Sequence, residues 1–320
     1  MQHSLRVFRA ATVVLPAMLG CARSDASQVT ERVVSADSAA IAEPVDSTRL
    51  EPAREVPIKI EEPTDSDDST TWQRVAPGGW LASHGTRLQD TWVLPSAVSL
   101  RLAHCGESAN ATWRPEEQAI VLCYELLSLL RRELATAGAA LLRQESDVPA
   151  GAIASDDTVP SAHDEGVAPV DSLDRLRRTA EDFTFYHEEA HMLRALLALP
   201  ITGREEDFAD QYAILTLLDG ADRRPADLVG VVRLFQLAQL LGNAAIDDSH
   251  SLPLQRAVNV VCLAFGRDPN RFAFLLDEIP IALERLETCA REYSLISAAI
   301  EQLLAPSRRA PLPDVSRHRE

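Results

Sequence analysis

Residues 173–197 read LDRLRRTAEDFTFYHEEAHMLRALL, and this stretch decides the fold. Its apolar residues recur every three to four positions, at Leu173, Leu176, Phe183, Tyr186, Ala190, Leu193 and Leu197. That spacing predicts one long amphipathic helix, which ends before Pro200.

The pentapeptide His187-Glu188-Glu189-Ala190-His191 lies inside this helix. Because residues four apart lie one above the other on a helix, His187 and His191 can present their imidazoles to one metal ion. Glu188 is then predicted to be the general base that takes a proton from the hydrolytic water. The pattern indicates metal-assisted hydrolysis. Two imidazoles and a carboxylate favour zinc, although spacing alone does not exclude manganese, iron or cobalt.

A second helix is predicted to begin near Arg204, after a turn rich in helix-breaking residues. Its first turns carry four acids: Glu205, Glu206, Asp207 and Asp210. Glu206 and Asp210 are four apart and continue into the apolar face of this helix, whereas Glu205 and Asp207 point elsewhere, as solvated acids favoured by the helix dipole. We therefore expect Glu206 to be the third ligand, Asp210 to accept a hydrogen bond from a ligand imidazole, and Glu205 to matter least.

The segment Glu206-Asp207-Phe208-Ala209-Asp210, following the HExxH motif, resembles the gluzincin arrangement. In gluzincins the Glu is the third zinc ligand and the Asp orients a ligand His. Further motifs resemble a bacterial family of uncharacterised function described as putative metallopeptidases. They are Cys105-Gly106, Asn110 to Trp113, Cys123 to Glu125, Leu199-Pro200, Gly203 to Asp207, His250 to Leu252, Gln255-Arg256, Asn259 and Cys262.

This resemblance covers roughly residues 90–305. It implies an α+β fold: a mostly helical, zincin-like metallopeptidase domain with a small β-sheet. One departure is Ala190, where a Gly often precedes the second His, but a small residue is retained.

Three short segments, 98–102, 110–113 and 118–122, are predicted to be strands. In gluzincin peptidases an edge strand, often with an Asn-Ala pair, binds extended substrate next to the zinc. Asn110 and Ala111 resemble that element, which implies main-chain hydrogen bonds to a peptide. An ordinary hairpin is the alternative interpretation.

His250 lies in a turn before a predicted helix, directly after Asp247 and Asp248. It is a candidate donor to the oxyanion of a tetrahedral intermediate, with one of the two acids fixing its tautomer. The alternative is that Asp248 or Ser249 caps the helix and His250 packs in the turn.

The N-terminus has the layout of an export signal. Arg6 and Arg9 precede an apolar stretch, residues 10–19, that is too short to span a bilayer as a stable helix. Residues 18–21, Met-Leu-Gly-Cys, then resemble a bacterial lipobox, which predicts that residues 1–21 are a lipoprotein signal and that Cys21 is lipidated. The expected location is the cell envelope, lipid-anchored in the outer membrane and facing the periplasm or the cell surface. An ordinary signal peptide with an incidental Cys is the alternative.

Composition divides the remaining chain into three parts. Residues 22–72 are rich in Ser, Asp, Glu, Pro and Thr and are predicted to be a disordered acidic tether. Residues 73–306 are assigned to one folded domain and residues 307–320 to a disordered tail. Within the domain, residues 145–169 are predicted to be a surface loop or, alternatively, a mobile flap over the cleft.

Four of the five cysteines remain when Cys21 is set aside. Sequence proximity and the order of elements favour disulfides Cys105–Cys123 and Cys262–Cys289, as an oxidising compartment would permit. Four buried free thiols are the alternative. A cysteine-ligated metal is disfavoured because no CxxC spacing occurs.

The net charge of −17 argues against nucleic-acid binding, because a phosphate-binding surface requires clustered Lys and Arg. The expected partners are a peptide or protein substrate and membrane lipid, and the expected state is a monomer. The predicted function is a zinc-dependent metallopeptidase. The alternative is an inactive metal-binding envelope lipoprotein acting as a scaffold, which would have no need of Glu188. A deformylase-type amidase would require a cysteine ligand, but Cys105 and Cys123 are assigned to a disulfide.

Overall fold

The computed structural model describes residues 55–75, 79–106, 109–134, 169–220, 224–242 and 249–309. The predicted signal peptide with Cys21, the tether up to residue 54, residues 145–168 and the tail from residue 310 lie outside the described residues. Within the described parts of the chain, no helix combines the length and apolar character needed to cross a membrane.

The described residues form a four-stranded sheet. Its strands are β1 (Ile58–Ile60), β2 (Ser99–Ala103), β3 (Ala111–Arg114) and β4 (Ala119–Cys123), in the spatial order β1-β2-β4-β3. The first three in that order run parallel, whereas β3 pairs antiparallel with β4. Every residue of β4 is buried, which is typical of a central strand covered on both faces. The three strands predicted from the sequence are confirmed to within a residue, and β3 lies at the edge.

The predicted tether extends too far along the chain. Strand β1 pairs with β2, and helix α1 (Ser66–Val75) follows it, so the folded part begins by residue 55. This segment is poor in apolar residues, but it buries Val56 and Val75 and satisfies buried Asp68 with hydrogen bonds from Thr64. A few apolar contacts suffice because β2 supplies the pairing partners.

Two further helices precede the central one. Helix α2 (Trp80–Thr91) was not predicted from the sequence, and α3 comprises the helical residues 124–134 as far as they are described. An isolated bridge between Trp92 and Arg308 brings the end of the described chain beside α2, within the predicted tail.

Helix α4 (Pro169–Leu196) carries the HExxH motif, and residues 179–190 of it are buried on every side. The amphipathic prediction is therefore wrong for this part of the helix. Its acids face donors of α1 and α2 instead of solvent: Glu181 pairs with Arg74, Asp182 with Trp80 and His84, and Glu189 with Arg87 and Trp92. Hydrogen bonding to these donors makes a buried acidic stripe tolerable.

The C-terminal half is helical: α5 (Glu205–Asp219), α6 (Val229–Leu240), α7 (Pro253–Arg267), α8 (Pro269–Phe272), α9 (Leu275–Glu278) and α10 (Leu283–Leu304). Helices α5 and α6 pack against α4, and α7 packs against α6 and α10. Both predicted disulfides are confirmed: Cys262–Cys289 joins α7 to α10, and Cys105–Cys123 ties the chain after β2 to the end of β4. The fold is α+β, mostly helical with a small sheet, as predicted.

Candidate active site

Three side-chain atoms converge where α4 crosses the start of α5. Nε2 of His187 lies 3.2 Å from Nε2 of His191 and 3.1 Å from Oε2 of Glu206. The third side of this triangle, His191 Nε2 to Glu206 Oε2, is 3.3 Å. The structure thus brings together the three residues predicted to be metal ligands.

This triangle fits a tetrahedral metal ion. Ligands about 2.0 to 2.1 Å from a tetrahedral zinc lie about 3.3 Å from one another, close to all three observed separations. Two imidazole nitrogens and one carboxylate oxygen are also a donor set that zinc prefers. His250 also lies within metal-ligand distance of His187 and Glu206, so it is a further candidate ligand. A separate group among the described residues contains Cys105, Cys123 and Glu125, but its two sulfurs are joined in a disulfide.

Asp210 contacts His187, the first of the predicted ligands. Its Oδ1 lies 2.9 Å from Nδ1 of His187, which leaves Nε2 of that ring facing the triangle. Arg256 on α7 holds Asp210 in turn, because its Nε donates to Oδ2 at 2.7 Å and a terminal nitrogen donates to Oδ1 at 2.6 Å. Sequence reasoning missed this role of Arg256, since nothing in the spacing shows that α7 faces the first turns of α5.

The expectation that Glu205 points away from the site is wrong. Its Oε1 lies 2.9 Å from Nδ1 of His191, and its Oε2 lies 3.3 Å from Nε of Arg194. Glu205 is the first residue of α5, and this first turn lies beside His191, so adjacent carboxylates reach the same site from different sides. Each ligand imidazole therefore has a carboxylate on its Nδ1.

The electrostatics of the ligands favour a cation. Burial lowers the pKa of His187, but hydrogen bonds to Asp210 and Glu206 outweigh it and raise the pKa to about 9. Burial raises the pKa of Glu206, but hydrogen bonds from His187, His191 and His250 reverse this and hold the pKa below its ordinary range. Ionised carboxylates thus surround imidazoles that bind protons strongly, and a metal ion would compete with those protons.

Glu188 lies beside the triangle and is held by the edge strand. The main-chain N–H of Trp113 in β3 donates to its Oε2 at 2.7 Å. Burial raises the pKa of Glu188 above its ordinary value, although His187, His191 and this N–H oppose the shift. A carboxylate in this position is suited to accept a proton from a water molecule and to release it later.

His250 reaches the same site from the turn before α7. Its Nε2 lies 2.8 Å from Oε2 of Glu206, and its ring stacks on that of His187 with centroids 5.8 Å apart. The structure therefore places His250 in the turn before α7 and beside the predicted ligands. Asp247 and Asp248, predicted to fix its tautomer, lie outside the described residues.

Asn110 and Ala111 line a pocket together with His187, Glu188 and His250, and the volume of this cavity is about 40 Å³. The N–H of Trp113 points away from β4, toward Glu188. Because main-chain groups two residues apart on a strand point to the same side, the N–H and C=O of Ala111 also point away from β4. The residues predicted to contact substrate are therefore beside Glu188.

A buried HExxH helix, a carboxylate from the following helix and an edge strand over the general-base position define a metallopeptidase-type site. A family model described as "putative metallopeptidase" (DUF4344) matches residues 60–304. The chain belongs to this family, and a metallopeptidase family implies a metal ion. No curated protein and no solved structure matches the chain.

Proposed function

We propose that this protein is a zinc-dependent peptidase of the bacterial cell envelope, with Glu188 as its general base. The observation that carries the proposal is the triangle of His187, His191 and Glu206 with the Glu188 carboxylate beside it. Zinc is the proposed ion because the donor set and the ligand separations suit it.

His187, His191 and Glu206 would hold the metal. When bound, zinc supplies Lewis-acid polarisation of the scissile carbonyl and of the attacking water. Trp113 fixes Oε2 of Glu188, so the other carboxylate oxygen, Oε1, is the atom left to take the proton of the water. Glu188 then delivers that proton to the leaving amine.

Two further groups act on the substrate. The carbonyl of Ala111 on the outer side of β3 would accept a main-chain hydrogen bond from an extended peptide, whereas its N–H already donates to Oδ1 of Asn110. His250 would donate a hydrogen bond to the oxyanion, a contribution of roughly 3 to 4 kcal/mol for a well-placed donor.

The envelope location rests on residues 1–21 and on the disulfides. Two disulfides in one domain are typical of a protein that folds in an oxidising compartment such as the periplasm. Cys21 would provide the lipid anchor.

A metal-binding scaffold without activity is the second candidate function, since the three ligands alone are enough to bind zinc. Glu188 weighs against it. A buried carboxylate costs free energy to desolvate, and the main-chain N–H of β3 that positions it would serve no purpose in a scaffold.

Metal analysis of the purified full-length chain, followed by cleavage of a peptide library, tests the proposal. We expect one zinc per chain and hydrolysis that a chelator abolishes and added zinc restores. Stoichiometric zinc without cleavage of any peptide would support the scaffold instead.

A further inference from the structure

Glu189 lies inside the HExxH motif but has no role in the hydrolytic mechanism. Its side chain is completely buried. Because it is two positions along the chain from both His187 and His191, it lies about 200° around α4 from each of them, on the opposite face of the helix. A carboxylate is costly to bury, so the groups that compensate it indicate what it does.

Donors from α2 and α5 converge on this carboxylate. Nε1 of Trp92, directly after α2, donates to Oε1 of Glu189 at 2.8 Å, and the hydroxyl of Tyr212 on α5 donates to the same oxygen at 2.6 Å. Arg87 of α2 pairs with Oε2, and its guanidinium lies 4.6 Å from the centroid of the Tyr186 ring. Trp92 and Tyr212 are buried, so these hydrogen bonds form away from water, where they are stronger.

Helix α5 therefore contacts α4 on two opposite faces. Its first turns carry Glu206 and Asp210, which contact His187 on the ligand face. Tyr212, less than two turns after Glu206, contacts Glu189 on the other face. Because α4 supplies two candidate ligands and α5 supplies the third, the shape of the ligand triangle depends on how α5 lies across α4.

A small rotation of α4 about its own axis would distort this triangle. The side chains of a helix extend about 5 Å from its axis, so a rotation of about 20° moves their outer atoms by roughly 2 Å. That displacement is as long as a zinc–ligand bond, which is about 2.0 to 2.1 Å. A bond on the face opposite to the ligands resists such a rotation, because turning α4 would pull the Glu189 carboxylate away from Tyr212.

We propose that Glu189 is a positioning residue, whose bond to Tyr212 fixes α4 against α5 so that the three candidate ligands keep the spacing that a metal ion requires. Glu189 touches neither the ligands nor the substrate and acts only through the geometry of the ligand triangle. The inference rests on the metal site of the proposed function, but not on peptide hydrolysis.

Tyr212→Phe isolates this contact, because it removes one hydroxyl and keeps the buried ring. The full-length protein is loaded with cobalt(II), whose visible absorption depends on the geometry of its ligands, and the affinities for cobalt and zinc are measured without any peptide. We expect Tyr212→Phe to lower both affinities about 10-fold, as is typical when a group that orients metal ligands is lost, and to change the cobalt spectrum. Wild-type affinities with an unchanged spectrum would overturn the proposal.

Glu181→Gln is the matched control. Glu181 is also a buried carboxylate of α4, but it pairs with Arg74 of α1 and with Arg177 of α4 itself. Its neutralisation should lower the melting temperature, because two guanidinium groups lose their counter-charge, and should leave the metal affinities and the cobalt spectrum unchanged. An equal loss of metal affinity in this variant would show that any weakening of helix packing disturbs the site, which contradicts a specific role for Glu189.

Two substitutions of Glu189 itself give a graded expectation. Gln keeps an oxygen that can accept from Tyr212 and Trp92, whereas Ala removes the acceptor, so Glu189→Ala should bind cobalt more weakly than Glu189→Gln. Wild-type affinity in Glu189→Ala would refute the positioning role. If Glu189→Ala fails to fold, Tyr212→Phe still decides.

Failure of this inference is distinguishable from failure of the peptidase proposal, because its measurements are metal binding and stability. Wild-type protein that binds one zinc but cleaves no peptide would refute the peptidase and leave the role of Glu189 intact. Hydrolysis by the wild-type protein, together with unchanged cobalt binding by Tyr212→Phe, would support the peptidase and refute the role of Glu189.

Discussion

Carboxylates contact the candidate metal ligands His187 and His191, and only some of these carboxylates could be predicted from the sequence. Glu206 and Asp210 were predicted because a spacing of four places both on the buried face of α5. Glu205 was missed because the direction of a first-turn side chain depends on how α5 crosses α4, which no spacing along the chain records. The role of Arg256 was missed for the same reason, since it depends on the docking of α7.

For single residues we predict that Glu205→Ala lowers zinc affinity about 10-fold or more, because His191 loses the acceptor that orients its Nδ1–H. Asp210→Ala should cost more, up to about 100-fold, and should also destabilise the fold, because the partly buried Arg256 loses its partner. Competition with a zinc-binding dye measures both affinities.

Asp207→Ala is the matched control for these two variants, since Asp207 accepts from Ser251 and contacts neither ligand imidazole. An effect of Glu205→Ala no larger than that of Asp207→Ala would contradict the role assigned to Glu205.

Among the elements, α4 shows where sequence patterns succeed and fail. Its extent near the motif and its end before Pro200 follow from apolar spacing and a helix breaker. Its polar stripe was interpreted as solvent-exposed because α2 was not recognised: the sequence of α2, WLASHGTRLQDT, is mostly polar. Two of those polar residues, His84 and Arg87, pair with Asp182 and Glu189 of α4, so for these two acids both errors have one cause.

Gly230→Ala should destabilise the protein by about 1 to 3 kcal/mol, because the added Cβ meets the main chain of α4 at Leu176 and forces α6 outward. Denaturant unfolding measures this loss. Gly203→Ala serves as the control, since its Cβ would meet nothing within 4 Å. A change at Gly230 as small as that at Gly203 would show that α6 is not packed this closely.

For the whole molecule, the fold class and both disulfides follow from the sequence, but the start of the folded part does not. Composition places residues 55–72 in the tether, yet β1 completes the sheet by pairing with β2. A truncation at Thr71 would therefore remove a strand and half of α1. Long-range pairing of this kind leaves little trace in a short, mostly polar segment.

Removing the disulfide between α7 and α10 with Cys262→Ser and Cys289→Ser together should lower the free energy of unfolding by about 3 kcal/mol, because it closes a loop of 27 residues. The melting temperature of the oxidised proteins measures the effect. A double variant as stable as the wild type would contradict a structural role for this disulfide.

The anchoring prediction also concerns the whole chain. Wild-type protein should partition with membranes, and Cys21→Ser should release it into the soluble fraction or leave the precursor uncleaved. Fractionation followed by immunoblotting tests this, and wild-type protein found wholly in the soluble periplasmic fraction would count against lipidation.

The central claim is that a bound metal and the Glu188 carboxylate together hydrolyse peptides. Glu188→Gln tests it most directly, because the amide keeps the size of the side chain and lies outside the ligand triangle but cannot take a proton. The metal content should stay at about one zinc per chain, and the rate of peptide cleavage should fall by about 10²-fold to 10⁴-fold or more. Retained cleavage would contradict the mechanism, and loss of zinc would show that Glu188 is a ligand and not the base.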